Sequence, residues 1–332
     1  MDFERYRDAM DHVPFDPRLE ARVLNRLSEA AVRTRRAPAF PRRRVMAVAV
    51  AAALCLAVTA GAYASVSGLF APLFGGHPEI VDQSGVPVSA SATSAGYTVT
   101  ADALFGDQNN LYVAMTLTRT DGGTIDADGL FFHLAEAALP GFNGGGYGAQ
   151  VHSGQGETTS VSLAATLHSY APIARGKTLT LSFDRIARVG ENMDAPALAQ
   201  GDWTLSFPVR CGDLTQSIPL DEPIPVGDTG LVLDTVALSP LSAWAGGEGT
   251  PGSEADLERV QGLLESGGFS LTLKDGTVID LFQVDGDFRS RGYSHQRDGV
   301  YQVHMDATFQ ELIPLEDMES LNVCGRVIPL AF

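Results

Sequence analysis

Apolar residues divide the chain into three regimes. Near the N-terminus they recur at steps of three and four: Phe3, Tyr6, Met10 and Val13, then Leu19, Val23 and Leu27, with Leu24, Ala30 and Ala31 beside them. That period is the signature of a helix with one apolar stripe. Between the two stripes stands Val13-Pro14-Phe15-Asp16-Pro17, in which Asp16 suits an N-cap and Pro17 the first helical position. The pattern predicts a short helix, a tight turn, and a longer helix over about residues 17–35. Pro38 and Pro41 break it. Over residues 45–66 the periodicity gives way to VMAVAVAAALCLAVTAGAYASV, which contains no charged residue. About 20 residues of helix cross a hydrocarbon core of about 30 Å, so this run is expected to be a membrane-spanning helix.

From Tyr97 onward the period changes to two. Residues 97–104 and 111–118 alternate and are separated by the turn-rich Gly106-Asp107-Gln108-Asn109-Asn110. Further candidate strands are 130–134, 159–167, 178–183 and 203–209. About seven short antiparallel strands over this stretch predict an immunoglobulin-like sandwich in architecture, without the Cys…Trp…Cys pattern of true immunoglobulin domains. A second set follows: 214–220, 231–238, a hairpin of 269–273 and 277–282 around Lys274-Asp275-Gly276, then 300–308 and 323–330. Ser253, with Asp256 three positions on, opens a helix to about Ser266, and Gly267-Gly268 stops it. The expected organisation is a helical head (1–44), a span (45–66), a linker and lead-in strand (67–96), an Ig-like β-sandwich domain (97–210), and a second β-rich domain with one inserted helix (211–332). The fold class is therefore mostly β, with two exported domains after one transmembrane helix and a short cytoplasmic helical hairpin.

Charge orients the span. Arg42, Arg43 and Arg44 precede it, and the first charge after it is Glu79. Lysine and arginine beside a span stay on the cytoplasmic side, which places the N-terminus inside the cell and the C-terminal region outside. Up to Arg44 there are 11 basic and 7 acidic residues; the remainder holds 12 and 33. An acidic exterior argues against nucleic acid as a direct partner. A rival reading is a cleaved export signal, with Ala62-Tyr63-Ala64 as the small-x-small site. About 44 residues before the apolar run are long for a signal n-region, which favours a retained anchor.

Candidate chemistry is sparse. Cys55 lies in the span; Cys211 and Cys324 are the exported cysteines and could form a disulfide or remain separate buried thiols. His133, His152, His168, His295 and His304 are scattered and read as surface or half-buried strand residues. Asp126-Ala127-Asp128-Gly129 and Asp285-Gly286-Asp287 lack the other ligands of a calcium loop and read as turns. Phe142-Asn143-Gly144-Gly145-Gly146-Tyr147-Gly148 reads as a flexible loop. No catalytic set, cofactor motif or metal-ligand spacing stands out. The head is too small to bury its own stripes well, which points to a partner, either another protein or a second copy; the alternative is that the stripes only close the hairpin on itself or lie on the membrane surface.

The layout resembles bacterial single-pass proteins of the DUF4179 type, which are anti-sigma-factor-like. The matching residues are Tyr6-Arg7-Asp8-Ala9-Met10 and Leu19-Glu20-Ala21-Arg22-Val23-Leu24 in the head. Outside they are Tyr97-Thr98-Val99-Thr100 through Asn110-Leu111-Tyr112-Val113, and Trp203-Thr204-Leu205-Ser206-Phe207-Pro208-Val209. The head departs from zinc-binding anti-sigma proteins: it holds His12 and no cysteine. The resemblance implies a transmembrane regulator whose head binds a sigma factor through Tyr6, Met10, Leu19, Val23 and Leu27, and whose exterior senses an unknown envelope ligand or protein. The alternative is an envelope adhesion or interaction protein with a membrane anchor. An enzyme ranks third.

Overall fold

The computed structural model describes residues 66–142, 144–153, 156–188, 197–282, 291–297 and 300–332. They form a mostly β structure, 56% strand, with several antiparallel sheets and three helices. The helical head lies outside the described residues, and with it Tyr6, Met10, Leu19, Val23 and Leu27. So does the apolar run except for its last residue. Among the described residues no helix is long and apolar enough to cross a membrane. The described residues begin with helix α1 (Val66–Phe74), and α2 (Pro78–Ser84) follows. Neither helix is announced by the sequence pattern. Gly68 and Pro72 interrupt α1, and no charged residue marks its polar side.

The first lobe contains β1 (Val86–Ser94), β2 (Tyr97–Gly106), β3 (Asn110–Arg119), β4 (Ile125–Asp126), β5 (Leu130–Ala138), β6 (Gly144–Ser153), β7 (Glu157–Thr158), β8 (Ser160–Ser169), β9 (Thr178–Arg188) and β10 (Ala197–Pro208). Two antiparallel sheets, β1-β2-β3-β8-β6 and β10-β9-β5, share one core. Their margins meet, with β1 beside β10 and β5 beside β6. Alternation builds this core: Val99, Val113, Met115, Leu117, Val161, Leu163 and Leu167 from one sheet face Leu179, Leu181, Phe183, Leu205 and Phe207 from the other. At its centre Phe132 stacks on Phe183 with ring centroids 4.3 Å apart, and the fully buried Trp203 meets Phe132 edge-on. The Trp203 indole N–H donates to the Tyr97 carbonyl at 3.1 Å, so its polar end is satisfied.

The second lobe contains β11 (Gln216–Ile218), β12 (Ile224–Pro225), β13 (Val232–Leu233), β14 (Thr235–Leu238), β15 (Ser242–Gly249), α3 (Glu254–Gly267), β16 (Phe269–Leu273), β17 (Val278–Asp280), β18 (Arg291–Arg297), β19 (Val300–Thr308), β20 (Met318–Val323) and β21 (Arg326–Pro329). The sheets β11-β14-β15-β19-β18 and β17-β16-β20-β21 line a second core, which Val260 and Leu264 of α3 complete. Ser253 caps α3, its hydroxyl accepting from the Asp256 amide.

Three expectations change. The loop expected at 142–148 is in large part strand β6, paired with β8 through Tyr147↔Leu167 and Gly148↔Thr166; backbone hydrogen bonding needs no side-chain alternation. The strand expected at 323–330 is broken by a turn at Cys324 and Gly325, both at positive φ, which separates β20 from β21. The disulfide does not form: Cys211 and Cys324 are free thiols. Cys211 belongs to the first core, while Cys324 packs on the second with its Sγ 3.6 Å from Met305 Sδ. Burial pushes each thiol up to about 11.

Asp102 sits at a bulge in β2 between the buried Ala101 and Ala103, and accepts from the Thr116 hydroxyl at 2.7 Å. Burial raises its pKa, and the Thr116 hydrogen bond offsets part of that rise. Folding thus penalises the charged carboxylate relative to the unfolded chain. The stabilising contribution of the neutral form is complete below the ordinary carboxylate range and is lost as pH rises through the raised value. Asp102→Asn keeps an acceptor for Thr116 without a charge. It is expected to stabilise the protein by about 1 kcal/mol near neutral pH, with the gain vanishing toward about pH 3. Thermal melts of both proteins across that range check it; an advantage that grows on acidification overturns it.

Candidate functional site at the junction of the lobes

The turn Gly106-Asp107-Gln108-Asn109-Asn110 does more than connect β2 to β3. A Cβ on Gly106 would lie 2.2 Å from the Asn110 carbonyl oxygen, so only glycine allows the chain to close this tightly. The closure turns the Asp107 side chain inward, where it is 2% exposed. Asp107 Oδ1 accepts from the backbone amides of Asn109 (3.0 Å) and Asn110 (2.7 Å) and from Asn110 Nδ2 (3.1 Å). Its Oδ2 faces the second lobe and accepts from the hydroxyls of Ser239 (2.7 Å) and Ser242 (2.5 Å).

Those serines bracket Ser239-Pro240-Leu241-Ser242, the turn between β14 and β15. Ser239 Oγ also accepts from the Leu241 and Ser242 amides, at 3.0 and 2.9 Å. One hydroxyl therefore shapes its own turn and donates across the junction. Arg175 braces the other side, with one guanidinium nitrogen on the Asp107 carbonyl oxygen and another 2.9 Å from Cys211 Sγ. Asn109 Nδ2 donates to the Ser169 carbonyl at 2.8 Å, tying the turn to the end of β8.

Beside this network the two lobes share a second polar contact. His168, on β8, stands with Nε2 3.2 Å from Asp306 Oδ2, on β19 of the other lobe. His304 Nε2 lies 3.7 Å from the other oxygen of the same carboxylate. The Tyr170 ring packs against both imidazoles, with centroids 4.5 Å from His304 and 5.7 Å from His168. The hydrogen-bond chain orients His168. Asn110 donates to Asp107 through Nδ2 and so offers Oδ1 to His168 Nδ1, 2.9 Å away, which must carry a hydrogen. Both hydroxyls at the junction meet a carboxylate directly, whereas a Ser-His-Asp relay places an imidazole between them.

Sequence reasoning located these histidines on strands and missed that two of them converge. His168 and His304 lie far apart along the chain, and no spacing rule connects them. Asp107 reads as a turn former, and nothing local signals its burial. His133 pairs on the surface with Asp184 at 2.7 Å. Asp126 and Asp128 close a loop: Asp126 pairs with Arg188 at 2.5 Å, and Asp128 accepts from the Gly156 amide. Among the described residues no group of His, Cys, Asp and Glu is arranged to hold a metal ion.

No family model matches the chain, and no curated protein does. Among solved structures, a conserved domain protein from Bacillus anthracis is similar at 15% identity and a TM-score of 0.48, with 75% of this chain and 78% of that chain covered. A likeness of that degree bears on neither family nor function.

The junction makes a graded prediction. Ser239→Ala removes the donor to Asp107 and the acceptor for two backbone amides, whereas Ser242→Ala removes the donor alone. Ser239→Ala is expected to cost about 2–3 kcal/mol and Ser242→Ala about 1 kcal/mol. Urea unfolding of the two variants checks the order; equal losses would show that the turn stands without its hydroxyl.

Proposed function

We propose that the chain is a single-pass, anti-sigma-factor-like signalling regulator of the DUF4179 type, with the N-terminus in the cytoplasm and the β-rich body outside the cell. The head, residues 1–44, binds a sigma factor through the stripe of Tyr6, Met10, Leu19, Val23 and Leu27. Residues 45–66 anchor it in the bilayer. The body acts as the sensor and consists of two β-sandwich domains of Ig-like architecture. One observation carries the reading: an uncharged run flanked by Arg42-Arg43-Arg44 separates a basic, striped head from an acidic body. Two features of the body support a sensor. The carboxylates of Asp107, Asp126 and Asp128 are engaged in structural contacts, and the lobes meet through a polar junction.

An envelope adhesion protein is the second reading. It is favoured by Val278 and Val327, each 64% exposed, at opposite margins of the outer face of β17-β16-β20-β21.

The test uses the full chain in membranes. Capture of a sigma factor by the intact protein, abolished by Val23→Asp with Leu27→Asp and accompanied by derepressed transcription, is the expected result. Failure to capture any sigma factor, with transcription indifferent to the two substitutions, removes the proposal. A body released after Ala64 removes the anchored topology on which it rests.

A further inference from the structure

The two helices that follow the apolar run are built into the junction of the lobes. Asp82 of α2 accepts from both the amide and the hydroxyl of Ser67, each at 3.0 Å, and so ties α2 to α1. The corner is closed from below: a Cβ on Gly85 would lie 2.7 Å from Val66 Cγ1 and 2.7 Å from the Val81 carbonyl oxygen. Val66, the residue at which the apolar run ends, thus packs against Gly85 just past α2.

The other face of α1 is aromatic. Phe70 and Phe74 are buried against Phe105 of β2, with centroids 5.7 and 5.6 Å away, and Phe74 meets Tyr112 of β3 edge-on at 4.9 Å. This cluster is completed by the second lobe, through the buried Leu241 and Leu312. Leu241 lies in the same turn as Ser239 and Ser242. A Cβ on Gly75, just past α1, would come within 4.0 Å of the Glu311 side chain. At the far end of the strap, the Ser84 carbonyl accepts from the Gly212 amide at 2.7 Å, in the segment that joins the lobes.

We infer that α1 and α2 form a strap whose docked state requires the two lobes to be closed on each other, so that opening the junction releases the chain at Val66. The socket for Phe70 and Phe74 is made by both lobes, and separating them exposes aromatic surface that only the closed pair covers. The Asp107–Ser239–Ser242 contact holds the lobes, and Leu241 links that contact to the strap within three residues. A ligand that binds the lobes better when they are apart would thereby free the strap, and strap docking would in turn oppose that ligand by the same free energy. This rests on the regulator reading for its biological sense: the strap would carry the state of the body to the membrane segment.

Hydrogen exchange on the full chain in bilayers tests the coupling without reference to any sigma factor. With Ser242→Ala, which removes a donor to Asp107 and leaves every strap side chain in place, amides of residues 66–84 are expected to exchange about tenfold faster, while those of β9 stay protected. In the reciprocal arm, Phe74→Leu is expected to speed exchange around Leu241 and Leu312. Faster exchange at residues 239–242 with unchanged exchange at 66–84 overturns the inference. So does a Phe74→Leu effect confined to the strap. If Ser242→Ala unfolds the body, the Phe74→Leu arm alone decides. Loss of sigma-factor capture in the full chain removes the regulator reading and leaves the strap measurement intact.

Discussion

A carboxylate taken out of water must be met by donors, and Asp107 is met by five. Three come from its own turn and two from the other lobe. That division makes the arrangement of the body specific. An apolar junction would tolerate sliding, because hydrophobic contact has no direction. A buried carboxylate tolerates almost none, because each lost donor leaves a charge facing low dielectric. Ser239 can reach Asp107 only if its own turn is formed, and Asp107 points inward only because Gly106 lets β2 and β3 close so sharply. Local geometry in each lobe is thus a condition for their contact.

Much of the architecture could be read from period-two alternation. Runs such as 111–118 and 300–308 emerge as β3 and β19, although both are covered on both faces over much of their length, with Val113 to Met115 and Val303 to Ala307 buried in succession. The pattern fails where alternation is not what makes a strand. β6 begins Gly-Gly-Gly and holds its place through backbone pairing with β8. β15 carries Gly246 and Gly247 because side chains do not fit: a Cβ on Gly247 would lie 2.2 Å from the Val232 carbonyl oxygen. Such glycines look like loop residues in one dimension and mark close approach in three. The junction was hidden for a different reason. Asp107, His168, Ser239 and Asp306 acquire meaning only through contacts between segments distant in sequence. The two cysteines left a bond and two separate thiols equally open in the sequence, and each belongs to its own core.

Helix α1 shows how a short apolar segment without charges gains its structure. α1 has a glycine and a proline within nine residues and little intrinsic reason to be helical. Tertiary burial of Phe70 and Phe74 and the Asp82 contacts to Ser67 supply what propensity does not. A helix stabilised from outside is sensitive to whatever changes its surroundings. That dependence suits a segment placed between a run able to cross a bilayer and a two-lobed body.

The way the margins of the first lobe meet has a consequence for crowding. Each lateral strand of the five-stranded sheet runs beside a lateral strand of the three-stranded sheet, β1 by β10 and β6 by β5. Open sheet margins are templates on which neighbouring molecules can add strands. Folding the two margins together withdraws that template in the first lobe. Copies held at high local density would there meet through side chains rather than through unpaired backbone.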